Sequence, residues 1–96
     1  MDKFKEHELQ LKWYAGYMNA PEIKYLDNGS VKTTFSIPLK KKKEDEPQWL
    51  NCIAWGKLAE TVAEYTKGSF ITVGGYFEQR EYNGKSYLDF IVKVFM

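Results

Sequence analysis

Two sets of side chains in this sequence could do chemistry. The first is the set on which hydrolases, transferases and metalloproteins depend, and it is nearly empty. The chain has one histidine, His7, in a polar terminus, and one cysteine, Cys52, so general-base chemistry lacks a carrier and a His/Cys metal site cannot close. Gly74, Gly75 and Gly84 do not follow the strand-to-helix spacing of a phosphate loop. No enzyme is expected, and neither a cofactor nor a metal. The second set is aromatic and basic. Trp49, Trp55 and Tyr82 offer flat faces on which bases can stack at ~1–3 kcal/mol each. Lys57 and Arg80 beside them offer positive charge to a phosphate backbone. Tryptophans on a sheet surface can equally cover a second small core or a subunit interface, so the rings by themselves leave those readings open.

The stretch that must position them runs from Gln48 to Tyr65. From Trp49 to Trp55 the side chains alternate with period two, Trp49, Asn51, Ile53 and Trp55 on one face and Leu50, Cys52 and Ala54 on the other. The second face is wholly apolar, whereas the first carries Asn51, whose amide is costly to bury unpaired. Leu50, Cys52 and Ala54 are therefore expected to point inward. Asn51 and the two tryptophans then share an outer face, the rings roughly 20 Å apart at ~3.3 Å per residue. After Gly56 the period changes. Leu58, Ala59, Val62 and Ala63 form the stripe of a short amphipathic helix, which Thr66, Lys67 and Gly68 are expected to close in C-cap fashion.

The flanking segments read as strands. Leu9, Leu11, Trp13, Ala15 and Tyr17 make one apolar face of a first strand, with Trp13 in the core or a subunit interface and Gly16 at a bend. Pro21 opens an extended piece, Glu22 to Leu26, and Asp27-Asn28-Gly29-Ser30 signals a hairpin. Val31, Thr33, Phe35, Ile37 and Leu39 form the next inner face, and Pro38 marks a strand end or edge. Lys40 to Pro47 is a charge block, expected to be a mobile loop. Either Lys41 and Lys42 contact phosphates there, or Glu44, Asp45 and Glu46 neutralise a solvated hairpin. From Phe70 to Glu81 a long strand turns Ile71, Val73 and Phe77 inward and Tyr76, Glu78, Arg80 and Tyr82 outward, with a bulge at Gly74-Gly75. Asn83-Gly84 makes a second hairpin, and Lys85 to Phe95 sends Leu88, Phe90, Val92 and Val94 inward. Strands parted by Asn-Gly turns, with one helix among them, predict an all-β chain with one short helix: a five-stranded Greek-key barrel over residues 9–96, after a flexible terminus at 1–8.

Composition limits the partners. A chain of 96 residues holds one modest core, and 17% aromatic residues exceed what that core can absorb. With 28% charged residues and no long apolar run, disordered and membrane classes are set aside, and the lone inward cysteine and the absence of an apolar leader predict a cytoplasmic protein. A net charge of +1 gives no overall pull on a polyanion, so binding must come from how charge is arranged. Trp13, Tyr14 and Tyr17 on an exposed strand edge predict a homo-oligomer, a symmetric dimer or a pair of dimers making a tetramer.

The segment QWLNCIAWGKLAETVAEYTKGS resembles the centre of the bacterial single-stranded DNA-binding proteins. APEIKYLDNGSVKTTFSI, Ala20 to Ile37, and VGGYFEQREYNGKSY agree with that family, so the resemblance runs from about Leu9 to Phe95. It implies an oligonucleotide-binding (OB) barrel that binds single-stranded DNA and assembles as an oligomer. It carries stacking roles onto Trp49, Trp55 and Tyr82 and basic groove roles onto Lys57, Lys67 and Arg80. Lys24 matches the basic position before Tyr25, and the loop holding Lys41 and Lys42 is placed beside the groove. Several positions depart from the pattern. Tyr82 stands where Trp is common, Glu78 and Glu81 stand where basic residues are common, and the segment before Pro21 is about one residue shorter. The sequence given stops at Met96 without the family's acidic tip, either as a short variant or because a tail has been removed. The function expected is sequence-independent binding of single strands in DNA replication, repair or mobile-element transfer, with replication proteins as further partners. The alternative is a protein-interaction module of the primosome-accessory kind, whose aromatics bury a partner.

Overall fold

The structure, a computed structural model, describes residues 11–39 and 48–96. The expected flexible terminus with His7, the start of the first strand at Leu9 and the charged loop with Lys41 and Lys42 lie outside the described residues. The elements are β1 (Lys12–Tyr17), β2 (Glu22–Tyr25), β3 (Val31–Leu39), β4 (Gln48–Trp55), α1 (Lys57–Ala63), β5 (Phe70–Tyr82) and β6 (Lys85–Phe95). They form one sheet in the order β1-β5-β6-β4-β3-β2. Neighbours are antiparallel except β4 and β6, where the chain returns to lie parallel.

Both hairpins follow from their Asn-Gly pairs. Gly29 has φ 90, and around it the Leu26 N–H donates to the Ser30 carbonyl at 2.8 Å and the Ser30 N–H to Asn28 Oδ1 at 2.9 Å. Asn83 at φ 54 and Gly84 at φ 75 supply the two successive positive angles of a tight turn between β5 and β6.

The described residues form six strands rather than five because the first is broken. β1 and β2 sit at opposite edges of the sheet yet are joined only by residues 18–21. That corner is bonded to both sides. The Met18 N–H donates to the Ser69 carbonyl at 3.0 Å, the Met18 carbonyl accepts from Gly68 at 2.8 Å, and Asn19 Oδ1 accepts from the Ser36 N–H at 2.7 Å. The sheet thus curls into the Greek-key OB arrangement, with an interrupted strand at its seam instead of a continuous ladder. Gly16 is not the corner. It pairs regularly with Ile71, and a Cβ there would lie 2.6 Å from Ile37 Cγ2, so the glycine permits close approach of β1 to β3 across the seam. Pro38 stays inside β3, beyond the reach of β2, which pairs only as far as Thr34.

Met18, Phe35, Ile37, Leu50, Cys52, Ala54, Ile71, Val73, Phe90 and Val92 make the core, closed at one end by Ala59 and Val62 of α1. The buried Thr33 hydroxyl donates to the Ala59 carbonyl at 2.7 Å, tying α1 to β3. The helix does not close on Thr66 to Gly68. It ends at Ala63 with Glu64 as its cap, the Glu64 N–H donating back three residues to Thr61, and Gly68, at φ 92, belongs to the turn into β5.

Two expected inner faces are corrected. In β1, Tyr14 and Gly16 point inward because they lie opposite the buried Val73 and Ile71, which turns Trp13, Ala15 and Tyr17 to the outside. Tyr14 packs edge-on against Phe77 and Phe90, so Trp13 is not a core residue. In β6, Leu88 is 56% exposed instead of inward, and past the bulge Phe95, opposite the buried Val73, packs on the core in place of Val94. Among the described residues, β1 pairs with β5 only through Gly75 and β4 pairs with β6 only at Phe90 and Ile91. Among the described residues the arm from Tyr76 to Asp89 therefore has two strands and no second layer behind Leu88. The bulge falls at Gly74/Gly75, as expected.

Candidate nucleic-acid interface

β4 turns Asn51 outward, as expected. Leu50, Cys52 and Ala54 are buried, whereas Trp49 and Trp55 are 55% and 45% exposed. Burial pushes the Cys52 thiol up to about 12, so it remains protonated and inert at neutral pH. The outer faces of β3, β4, β5 and β6, with Asn19, Ala20 and Glu22 from the seam, curve around an open groove of about 550 Å³.

Cross-strand register fixes what meets in it, since residues directly opposite share a face. Lys32 lies opposite Trp55, Thr34 opposite Ile53, Ser36 opposite Asn51 and Pro38 opposite Trp49. Lys32 Nζ sits 5.6 Å from the centroid of the Trp55 ring, within cation–π range. Lys24 on β2 faces Lys32, so Lys24, Lys32 and Trp55 form one row across three strands. The opposite wall holds Glu78 and Arg80 of β5 with Asp89 and Ile91 of β6. Arg80 Nε donates to Asp89 Oδ2 at 2.8 Å, and this hydrogen bond raises the already high Arg80 pKa. The Arg80 guanidinium carbon lies 4.7 Å from the centre of the Tyr87 ring.

Of the residues singled out from the sequence, Asn51, Trp55 and Arg80 line the groove. Trp49 shares their face at the far end of β4, and Tyr82 stands exposed at the tip of the β5/β6 arm, opposite Lys85. Lys24 flanks the groove through Lys32. Lys57 follows Trp55 and Gly56 at the start of α1, and Lys67 is exposed in the turn between α1 and β5, so neither lines the groove. Lys41 and Lys42 lie outside the described residues.

Sequence reasoning missed Lys32, Tyr87 and Asp89. The last two could have been found by counting back from the Asn83-Gly84 turn, because a two-residue loop pairs Tyr82 with Lys85, then Arg80 with Tyr87 and Glu78 with Asp89. Finding Lys32 requires the β3/β4 register, which the charge block between the two strands hides. Among the described residues the lining carries two cations, Lys32 and Arg80, against three carboxylates, Glu22, Glu78 and Asp89. Affinity for a polyanion must therefore come from stacking and from placement of individual cations, with Lys24 and Lys57 at the margins. No helix among the described residues is long and apolar enough to cross a membrane.

The sequence profile of the Single-strand binding protein family matches residues 16–93. A single-stranded DNA-binding protein of Thermosynechococcus vestitus is 37% identical over 57 residues, covering 57% of this chain and 48% of that protein. One of Bacillus cereus is 35% identical over 71 residues, covering 68% of this chain and 42% of that protein. The chain thus spans less than half the length of these relatives. Among solved structures, a deletion mutant of the single-stranded DNA binding protein from Thermus aquaticus superposes with TM-score 0.74 at 19% identity, covering 88% of this chain and 38% of that one. The SSB domain of a Synechococcus protein superposes with TM-score 0.73 at 12% identity, covering 88% of this chain and 91% of that one. At these identities the structural likeness carries the fold alone.

Proposed function

Because the chain belongs to the single-strand binding protein family, matched over residues 16–93, we propose that it binds single-stranded DNA without sequence preference along the outer face of β4. The observation that carries this is the placement of Trp49 and Trp55, half-exposed on one strand face, with Lys32 over the Trp55 ring and the groove between them. Bases stack on Trp49, Trp55 and Tyr82. Phosphates meet Lys24, Lys32, Lys57 and Arg80, with Lys67, Lys41 and Lys42 extending the path and Asn51 hydrogen-bonding from the groove floor. Binding of this kind needs no nucleophile, metal or cofactor, and we assign the protein no catalytic step. Its setting is the cytoplasm, in DNA replication, repair or mobile-element transfer, alongside replication proteins. The exposed β1 edge, with Trp13, Tyr17 and Phe70 on its outer side, supports assembly as a dimer or tetramer. The test is a band shift with oligo(dT) at low salt. Retardation is expected, and its absence would refute the proposal.

One observation favours a second reading. Among the described residues, carboxylates outnumber cations in the groove lining, as suits a protein-interaction module whose aromatics bury a partner. Such a contact survives salt that abolishes DNA binding, and Lys57→Ala with Arg80→Ala leaves it intact.

A further inference from the structure

A groove that takes a polyanion should not contain a fixed negative charge, yet the Asp89 side chain is only 7% exposed in its wall. Burying a carboxylate is costly unless it is paired, and its partner is Arg80. The pair is two-pronged, Nε to Oδ2 at 2.8 Å and Nη2 to Oδ1 at 3.4 Å, so one edge of the guanidinium is occupied and the third nitrogen takes no part. On its face, the guanidinium carbon lies 4.7 Å from the centre of the Tyr87 ring. The arginine is thus held at one edge by a carboxylate and on one face by a ring, while its side chain stays 50% exposed to the groove. An exposed arginine without these contacts samples many rotamers and loses that freedom when it binds. Asp89 and Tyr87 have already removed it.

We propose that Asp89 is a positioning residue for nucleic-acid binding: it fixes the Arg80 guanidinium over Tyr87 with its remaining edge directed to a DNA phosphate. The inference rests on the single-strand-binding reading and adds to it two residues, Asp89 and Tyr87, that act through Arg80. It makes a prediction opposite in sign to simple electrostatics. Removing a negative charge from the wall should tighten binding if Asp89 only repels DNA. It should weaken binding if Asp89 organises Arg80.

The experiment measures oligo(dT) affinity of wild type, Asp89→Asn, Arg80→Lys, Arg80→Ala and the Arg80→Ala/Asp89→Asn double variant at one low salt concentration, with circular dichroism melts to establish folding. Asp89→Asn is expected to bind roughly tenfold more weakly despite its more favourable charge, the scale of one charge-assisted hydrogen bond. In the Arg80→Ala background the same change is expected to lose that effect or to tighten binding. Arg80→Lys, which keeps the charge but not the fork, should also weaken binding roughly tenfold. Unchanged or tighter binding by folded Asp89→Asn would overturn the proposal, and so would an equal loss in both backgrounds. Should Asp89→Asn not fold, Arg80→Lys decides: wild-type affinity overturns the proposal and weakened affinity upholds it. Failure of the wild type to bind oligo(dT) refutes the parent reading instead, and this proposal with it.

Discussion

Trp55 and Ala54 are neighbours in sequence and opposites in role, so exchanging their properties separates surface from core. Trp55 is 45% exposed, and about half of the ~150–250 Å² that a large aromatic can bury is already covered. At ~25 cal/mol per Å², Trp55→Ala forfeits about 2–3 kcal/mol at most, and the area reference makes that an upper figure. The Lys32 contact adds about 0.5–1 kcal/mol at an exposed site. A domain with an ordinary ~5–15 kcal/mol of stability remains folded after such a loss. In DNA binding, removal of one stacking ring should cost ~1–3 kcal/mol, about fivefold to 150-fold in affinity. Ala54 has no exposure and lies on the inner face of β4, opposite Thr33. Ala54→Asp places a carboxylate there without a cation, and the domain should unfold. Urea denaturation gives the stabilities and fluorescence anisotropy of labelled oligo(dT) the affinities. A folded Trp55→Ala that binds within twofold of wild type would refute the stacking role. An unfolded Trp55→Ala beside a folded Ala54→Asp would refute the facing of β4 itself.

Other expectations follow from single contacts. At Gly75 a Cβ would run into the Ile91 carbonyl, which is backbone and cannot yield, so Gly75→Ala should cost about 3 kcal/mol or more in urea denaturation. Gly74→Ala meets first the Trp13 ring, which is half exposed and can swing away, at about 1 kcal/mol; equal losses would contradict this account of the bulge. Burial raises Cys52 from 9.0 to about 12, so below pH 9 its contribution to stability is complete, and between those values the unfolded chain ionises first and stability falls. The denaturation midpoint should therefore drop more steeply above pH 9 in wild type than in Cys52→Ala, and parallel profiles would show that the thiol is not buried. Assembly through β1, as proposed, predicts that Trp13→Glu with Tyr17→Glu lowers the mass in light scattering to that of a monomer, and a monomeric wild type at micromolar concentration would rule it out.

How much of this was legible in the sequence depended on how polar each face was. β4 could be oriented because one amide, Asn51, marked its outer side. The turns were legible because Asn-Gly accepts the positive φ found at Gly29, Asn83 and Gly84. β1 reads the wrong way round: Leu9 and Leu11 against Gln10 and Lys12 make Trp13, Ala15 and Tyr17 read as its inner face, and Tyr14 and Gly16 give no polar signal to the contrary. Its facing is set across the ladder by Val73 and Ile71. Leu88 follows a perfect alternation and is still exposed, because periodicity does not show where the layer behind a strand ends. Arg80 was visible as a groove cation, and the hairpin register places Asp89 opposite Glu78, but the diagonal bond from Arg80 to Asp89, nine residues away, shows only in the structure. The alignment of Lys24, Lys32 and Trp55 likewise belongs to tertiary structure.

Binding to single strands along β4 is tested most directly by titrating the wild-type protein with oligo(dT) while following tryptophan fluorescence across a salt series. Stacking on Trp49 and Trp55 should quench the emission. With about four phosphates met by Lys24, Lys32, Lys57 and Arg80, log affinity should fall with log salt at a slope of roughly −2 to −3, at ~0.7 per phosphate for a single strand. Unquenched fluorescence at low salt, or an affinity that salt does not change, would contradict it.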